Sequence, residues 1–477
     1  MDRSISQGGT PTAGTPLLPA DRDARLTVLV GLGVALAMLA LYVLTRPSWQ
    51  NIYDHFVWQA AAWLEGQAHI RYPVEATATS PGNAVLHDVV PLLGPDGLPT
   101  GRALIPFPPL PAVILLPLVA AFGTLTDQVL VSAIVGAIDV ALAFWVLGRL
   151  TLRSWVRVLV TVFLGAGTVF WYAASIGTTW YFAHVIALAP ALAAIGLALE
   201  ADGDDRARAD SAPAGDGGAR AHWPAIGLDG RQVAVGFLLG LAATARLTVI
   251  FGLPFFVLVG GGGSWLRRGV SAAIGAAIPV LALVAYTLAT TGEPFNPAYE
   301  ILYRSEIEAY PQFDYNAAWA ATDLRYIPQN VLVMLLAFPQ VMPACEPGVA
   351  REMWSSAGCG FLVPRDIGTS LILTSPAYLL ALAAVPAFGR DRVVAGATLA
   401  TAAIAMVNLA HFSQGWVQFG YRFSLDFAPF LLLLVALGTE RLLEGRQRAW
   451  AAVPVGLVAL SVAVHAWGIG WARALGW

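Results

Sequence analysis

The sequence predicts an all-α protein that crosses a membrane about eleven times. Hydrophobic residues make up 57% of its 477 residues and charged residues only 12%, and the mean hydropathy is +0.66. This composition is far from that of soluble domains. Apolar runs of about 20 residues, the length that spans a bilayer, recur along the chain between short loops that carry Arg.

The predicted helices follow these runs in order. Candidate spans lie at 26–45, 127–148, 156–176, 180–199, 269–290, 370–388, 393–411, 421–439 and 449–471. Residues 1–25 are polar and rich in Pro, Gly, Ser and Thr, so a disordered cytoplasmic N-terminus is expected. No basic stretch leads from it into a short apolar core with a cleavage site, which favours a retained helix at 26–45.

Arginine in the short loops predicts the topology. The loops that carry it contain Arg149, Arg153 and Arg157; Arg267 and Arg268; Arg390 and Arg392; and Arg441, Arg446 and Arg448. The positive-inside rule places them in the cytoplasm, with the N-terminus inside and the C-terminus outside. We therefore expect a multi-pass protein of the cytoplasmic (inner) membrane whose outer loops lie at 46–125 and 291–369.

Three apolar segments do not fit single crossings on this count. Residues 104–122 would begin and end outside, and their prolines favour an element at the outer interface; an ordinary helix with a Pro-rich N-terminus is the alternative. The run 232–259 must begin and end inside, which predicts two short helices with a break near Arg246, within a transmembrane region 232–290. Residues 327–343 are expected to be a second interfacial element in the second outer loop.

Composition divides the rest of the chain. Residues 26–199 form a first helical module, and residues 370–477 form the C-terminal transmembrane helices. Residues 200–231 are charged and Gly/Ala-rich, which predicts a disordered cytoplasmic linker. Cys345 and Cys359 share the second outer loop, where either a disulfide or two free thiols is expected.

Candidate chemistry concentrates in the first outer loop. In "NIYDHFVWQAAAWLEGQ", Asp54 and His55 follow the first helix and precede an amphipathic pattern suited to a helix on the bilayer surface. Asp54 could be a general base on an acceptor hydroxyl or the cap of that helix. Asp88 is a second candidate acid. Arg102 could hold a phosphate or anchor a lipid headgroup.

Further candidates lie in or beside helices. Asp139 and Arg246 are charges at membrane depth, for which a structural pair or a functional role is open, with Arg246 a candidate anion site. Arg422 and Asp426 lie four residues apart on one helical face, as an ion pair or as substrate ligands. His184 and Glu300 complete the set of candidate substrate-binding residues.

Some chemistry has no motif in the sequence. GxxxxGK[ST], HExxH and Cys/His clusters of metal spacing are all missing, so neither ATP hydrolysis nor a zinc enzyme is indicated. No resident cofactor and no nucleic-acid partner are expected, while use of a divalent metal stays open.

These segments together resemble a known superfamily. The loop that begins with "YDHF", followed by "GRALIPFPPLPAVILLPLVAAFG", "GTTWYFAHV", "GLAATARLTVIFGLP", "TGEPFNPAYE" and "GWVQFGYRFSLDFAPFLLLL", is similar in content and order to the GT-C membrane glycosyltransferases. In particular, they are similar to bacterial relatives of the protein O-mannosyltransferase and aminoarabinose-transferase group, the family 39-like enzymes. Each motif is degenerate, and the specificity lies in their order over most of the chain.

The resemblance implies a transferase that moves a sugar from a polyprenyl-phosphate donor to an acceptor glycan, lipid or protein outside the cytoplasm. It also implies a GT-C-like bundle with juxtamembrane helices in the first outer loop. It gives Asp54 the role of base and Arg102 that of phosphate ligand. The paired acidic motif common in the superfamily is here Asp-His, and a later acidic position is Ala62, so Asp88 stays a candidate for base or partner.

Two other classes of protein fit the same composition. A transporter or flippase of lipid-linked saccharides would use Asp139 and Arg246 as intramembrane charges. A non-catalytic membrane subunit of envelope assembly is the third hypothesis. The position of the essential residues distinguishes these classes from a transferase.

Overall fold

The computed structural model describes residues 19–47, 53–77, 80–211, 227–309, 318–341, 362–365, 367–415 and 417–474. Cys345 and Cys359 lie outside these ranges, so their pairing stays a prediction. The same holds for residues 1–18 of the expected disordered N-terminus and for residues 212–226 of the expected linker.

Helices dominate the fold. They are α1 (Pro19–Thr45), α2 (His55–Leu64), α3 (Leu110–Phe122), α4 (Gln128–Leu147), α5 (Ser154–Ala166), α6 (Val169–Ile176), α7 (Thr179–Ser211), α8 (Gly230–Ala243), α9 (Leu253–Leu258), α10 (Trp265–Thr291), α11 (Ala298–Ala309), α12 (Ile327–Leu336), α13 (Leu371–Thr374), α14 (Arg392–Leu409), α15 (Ser424–Leu443) and α16 (Ala452–Ala474). The strands are β1 (Ile70–Arg71), β2 (Val90–Leu93), β3 (Pro99–Leu104), β4 (Gln340–Val341) and β5 (Leu362–Val363).

Among the described residues, six helices are long and apolar enough to cross a membrane, or seven if the pair α5 and α6, bent by 53°, is one span. The predicted total of about eleven crossings therefore remains a prediction. The predicted span 370–388 is not one α-helix: α13 is followed by 3₁₀ segments at Pro376–Ala383 and Val385–Ala387. Prolines at the start of both segments interrupt regular α-helical hydrogen bonding there.

Ion pairs define two ends of the bundle. Arg149 pairs with Glu200, and Arg153 with Glu440 at 2.7 Å. Arg231 pairs with Asp204 at 2.5 Å, and Arg441 with Asp391 at 3.4 Å. These contacts gather the predicted cytoplasmic loops at one end, called here the Arg149 end. The opposite end, the Asp54 end, holds the Arg46–Asp127 pair at 2.8 Å and the contact of Thr179 with Tyr53.

The segment 232–259 breaks where the topology predicts. After α8 the chain turns at Thr244–Arg246, then returns through a 3₁₀ segment, Leu247–Gly252, and α9. α8 and α10 pack closely because glycines face backbone: a Cβ on Gly236 would lie 2.0 Å from the carbonyl oxygen of Ala272, and one on Gly240 2.4 Å from that of Ala276. The pairing of 236 with 272 and 240 with 276 makes the two helices parallel.

Residues 104–122 form the end of β3 and the short helix α3. With 13 residues α3 is about 20 Å long, too short for a bilayer core of about 30 Å. The Leu110 N–H donates to the Thr244 carbonyl at 3.1 Å, and the chain after α3 reaches Asp127. Both ends of α3 therefore lie at the Asp54 end, which favours the predicted non-crossing element.

The all-α prediction is wrong for the first outer loop. Its strands form an antiparallel sheet in the order β1-β3-β2, with Ile70 opposite Ala103 and Val90 opposite Leu104. A short pair, β4 with β5, lies in the second outer loop. A small apolar core under the first sheet includes Trp58, Ile70 and Ala103. Strands this short carry too little alternation to be recognised in sequence.

Three further predictions need correction. α2 is not an exposed surface helix: His55 through Ala60 are buried, beneath α3 and the sheet. Residues 200–211, predicted as linker, continue α7, and residues 19–25, predicted as disordered, begin α1. The extension of α7 is stabilised by ion pairs, including Asp202 with Arg206 at 2.6 Å.

Candidate active site

The first turns of α7 contact most of the predicted site residues. Gly177, in the left-handed region at φ 58°, ends α6 and turns the chain into α7. Thr179, Trp180, Tyr181 and His184 then contact, respectively, the Tyr53–His55 segment, Asp88, Arg422 and Asp426. One and a half helical turns thus connect the first outer loop to α15.

Asp54 is held in place by its neighbours and not by its own carboxyl. The Thr179 N–H and hydroxyl donate to the Tyr53 carbonyl at 2.9 and 2.6 Å, and the His55 N–H donates to the Thr179 hydroxyl at 3.1 Å. The Asp54 side chain is 1% exposed. Neither carboxyl oxygen has a hydrogen-bond partner among the described residues. Asp54 precedes α2 in the capping position, but its side chain makes no cap.

Burial controls the protonation of Asp54. It raises the pKa of the Asp54 carboxyl to about 8, against a smaller lowering by its own N–H and by the Trp58 indole. The indole nitrogen of Trp58 is itself buried and lies outside hydrogen-bond geometry with the carboxyl. A buried carboxyl with no structural partner and a shifted pKa is a candidate functional group.

Both ring nitrogens of His55 have hydrogen-bond partners. Its Nε2 lies 2.5 Å from the His87 carbonyl oxygen and its Nδ1 3.0 Å from the Thr179 hydroxyl. Because a carbonyl only accepts, Nε2 carries the proton. Burial lowers the pKa of His55, although the His87 carbonyl and the charge of Asp88 act in the opposite direction. The imidazole therefore connects the Asp54 backbone to the loop that carries Asp88.

Asp88 lies on the accessible side of this region. Its backbone is in the left-handed region at φ 55°, which Asp tolerates better than most residues. Trp180 Nε1 donates to its carboxylate at 2.7 Å, and the side chain stays half-exposed. Burial, and to a smaller extent the charge of Asp88, raise the pKa of Glu306 on α11 to about 7. Glu306 therefore joins the acidic groups of this end.

Asp426 is the centre of a closed polar cluster. Arg246 donates to both carboxylate oxygens, Nε to Oδ1 at 3.0 Å and Nη2 to Oδ2 at 2.9 Å. His184, Thr248 and Asn408 contact the same carboxylate at 2.8, 2.7 and 3.2 Å. The break after α8 thus positions Arg246 to satisfy a fully buried acid.

This cluster corrects two sequence hypotheses. Arg246 does not pair with Asp139, whose carboxyl is 0% exposed and has no partner among the described residues. Arg422 does not pair with Asp426, although the two lie four residues apart. The reason is the position of Arg422, which precedes α15 in a turn, while Asp426 is inside the helix.

Arg422 has cationic and aromatic neighbours instead. Its guanidinium carbon lies 5.7 Å from the ring centre of Tyr181 and 5.4 Å from that of Phe423. No carboxylate of the described chain lies within 4.0 Å of it, yet the charges of Asp88 and Arg246 act on it. Arg422 and Asp88 thus lie within electrostatic range of each other without an ion pair.

Two predicted site residues lie apart from this arrangement. Arg102 is on β3 opposite Arg71, and its Nη1 donates to the His69 carbonyl at 3.2 Å. Glu300 pairs with Arg304 at 2.8 Å on the exposed face of α11. Neither contacts Asp54, Asp88, Arg246 or Arg422.

Sequence reasoning missed the groups that hold the acids. Thr179 and Trp180 position Asp54 and Asp88, while Thr248 and Asn408 complete the Asp426 cluster. The only signal was the presence of Thr179 and Trp180 in "GTTWYFAHV" and of Thr248 in "ARLTVIFG". Asn408 lies in neither segment. Within the described ranges, no group of three His, Cys, Asp or Glu side chains is placed to hold a metal ion.

The fold and the apolar helices define a multi-pass membrane protein. A candidate site of acids and arginine lies at one end of its bundle. No family model matches the sequence, and no curated protein matches it.

The solved structures that are similar to it include the following two. The first is ArnT from Cupriavidus metallidurans bound to undecaprenyl phosphate, at 13% identity and TM-score 0.46, covering 96% of this chain and 77% of that one. The second is the Archaeoglobus fulgidus oligosaccharyltransferase in the apo form, at 12% identity and TM-score 0.44, covering 94% of this chain and 55% of that one.

Proposed function

We propose that the protein is a membrane glycosyltransferase that moves a sugar from a polyprenyl-phosphate donor to an acceptor hydroxyl at the Asp54 end, the extracytoplasmic side by the Arg pattern. One observation carries the proposal. The first turns of α7 connect Asp54 to Arg422. The Asp54 carboxyl has no hydrogen-bond partner among the described residues, and no described carboxylate neutralises Arg422.

The proposed reaction is a single displacement at the anomeric carbon. The acceptor oxygen forms a bond to that carbon, and the bond from the carbon to the phosphate oxygen breaks. The acceptor proton goes to Asp54, which acts as general base. The lipid phosphate leaves with the electron pair, and Arg422 stabilises its charge.

The burial of Asp54 determines how an acceptor can reach it. Since Asp54 is 1% exposed, the proposal requires the groups that cover its carboxyl to move when the acceptor binds. Asp88 and Trp180 then form the accessible side of the site. Arg246 is not assigned to the leaving group, because Asp426 already neutralises it. Arg102, without contact to the other groups, is left as an outer-loop cation.

The test uses full-length protein in vesicles supplied with polyprenyl-phosphate hexose and pentose donors. Release of free polyprenyl phosphate together with a glycosylated acceptor is expected. Movement of the intact lipid-linked sugar across the bilayer, with no release of polyprenyl phosphate, would instead identify a transporter. Loss of one sugar residue from a cell-surface glycoconjugate after deletion of the gene would name the acceptor.

A further inference from the structure

At the Arg149 end, opposite the proposed active site, four arginines line one open cleft. Its volume is about 630 Å³, and its lining consists of Arg206, Ala383, Pro386, Ala387, Arg390, Asp391, Arg392 and Arg441. Arg206 comes from the extension of α7, Arg441 from the end of α15, Arg390 from the turn before α14 and Arg392 from the first position of α14. Three separate elements thus contribute cations to one concavity.

The carboxylates near the cleft do not neutralise it. Asp202 contacts Arg206 at 2.6 Å and Arg392 at 3.2 Å, and Asp391 contacts Arg441 at 3.4 Å. Four arginines against these two carboxylates leave a net charge of +2 (4 − 2). One oxygen of Asp391 is also used to cap α14, where it accepts from the Val393 and Val394 N–H groups at 2.9 and 3.3 Å. That oxygen is therefore already engaged by backbone donors.

Arg390 has the least compensation. It is exposed, and its guanidinium has no acceptor among the described residues. The side chains of Arg206, Arg392 and Arg441 keep 53%, 43% and 30% of their surface exposed. A planar guanidinium with free donors binds phosphate oxygens in bidentate fashion.

The surroundings place this cleft at the level of lipid headgroups. Large apolar side chains on the same segment are exposed: Leu382 by 65%, Val385 by 46% and Phe388 by 42%. In a membrane protein such side chains face acyl chains. The cleft therefore lies where the lipid-facing surface meets the charged end of the bundle.

We propose that this cleft binds the phosphate group of an anionic phospholipid from the adjacent leaflet. The apolar floor of Ala383, Pro386 and Ala387 lies beneath the glycerol region, and the guanidinium groups hold the phosphate. The site is independent of the proposed glycosyl transfer, since its residues belong to the opposite end of the bundle.

The test measures lipid binding to the purified full-length protein in detergent by native mass spectrometry, with phosphatidylglycerol as the probe. Arg390→Gln should weaken binding about fivefold, and Arg390→Gln with Arg206→Gln about 25-fold, the effect of one basic group each at a membrane surface. Arg390→Lys keeps the charge but loses the bidentate fork and should give a smaller loss. Arg448→Gln, an exposed arginine at the same end, is the matched control and should bind as the parent does.

Three outcomes would overturn the proposal. One is an equal loss in the Arg448 control, which would mean diffuse surface attraction. Another is no loss in either Arg390 variant while the thermal midpoint is unchanged. The third is displacement of phosphatidylglycerol by millimolar inorganic phosphate, which would assign the cleft to the free ion.

Discussion

Asp426 and Asp54 are both buried carboxyls at the same end of the bundle, with 2% and 1% exposure, but the protein surrounds them differently. Four residues, His184, Arg246, Thr248 and Asn408, contact Asp426 through hydrogen bonds. Asp54 has no such partner in the described chain. A buried acid with hydrogen-bond partners holds helices together. A buried acid without them lowers the stability of the fold, and groups of this kind are found mainly at functional sites.

The arginines show the same contrast. Arg246 and Arg422 each lie 5.4 Å from the ring centre of Phe423. Arg246 pairs with Asp426, whereas Arg422 has no carboxylate within 4.0 Å in the described chain. The region around Asp426 is thus neutral by pairing, and the region around Arg422 keeps positive charge. This difference separates structural from catalytic charges in the proposal.

The largest effect is expected at Asp54. Asp54→Asn keeps the shape and removes the base, so glycosyl transfer should fall by about 10²- to 10⁴-fold, the usual contribution of a general base. Release of polyprenyl phosphate from a labelled donor measures it. Asp96→Asn, at an exposed turn of the same loop, is the control and should keep full activity. Full activity in Asp54→Asn would move the base role to Asp88.

Arg246→Gln should affect the fold before the chemistry. It leaves the Asp426 carboxylate buried without its cation, a change that costs about 3–5 kcal/mol of folding free energy. A thermal unfolding scan in detergent should show a large drop in midpoint. Thr248→Val removes one neutral donor from the same carboxylate and should cost only about 1 kcal/mol. Equal stability of Arg246→Gln and the parent protein would contradict a structural role.

Arg422→Gln tests the other half of the comparison. With no ion pair to lose, the variant should unfold near the parent temperature, while transfer falls by about 10²-fold because the departing phosphate loses its cation. Arg325→Gln removes an exposed arginine paired with Asp323 at the same end and should leave transfer unchanged. A lower midpoint with normal specific activity would assign Arg422 to packing on Phe423 and Tyr181.

How much of this contrast the sequence predicts depends on the level of structure. The positions of Arg in the loops and the number of crossings between them predict the break at Arg246 and the gathering of the Arg loops. Both features depend only on the depth of each residue in the membrane. The Arg246–Asp426 pair joins residues 180 positions apart, and depth alone could not choose between Asp139 and Asp426. The sheet depends on hydrogen bonds between strands, and the α7 extension depends on ion pairs, which form only in the folded chain. Asp54 and Asp88 are visible in sequence, but their burial is not.

The pH dependence sharpens the role of Asp54. A base must be deprotonated, so with a pKa of about 8 the transfer rate should rise about tenfold between pH 7 and pH 9 and then level off. Stability should change in the opposite direction: the native state holds this proton more tightly than the unfolded chain, so stability falls as pH rises from about 4 to about 8. Asp54→Asn should lose both effects, and a flat rate profile in the parent protein would contradict the assignment.

The smallest effect is expected at Asp139, another buried carboxyl. It is 0% exposed on α4, and its oxygens have no hydrogen-bond partner among the described residues, as at Asp54. It differs in place, because it lies inside a candidate span, Gln128–Leu147. If transfer takes place at the Asp54 end, Asp139→Asn should keep activity within about twofold, since substitutions away from a site are mostly mild.

The transporter hypothesis predicts the reverse, because a carrier depends on its intramembrane charge. Transfer and lipid-linked sugar movement, measured side by side on this variant and on Asp54→Asn, therefore decide which isolated acid the protein uses.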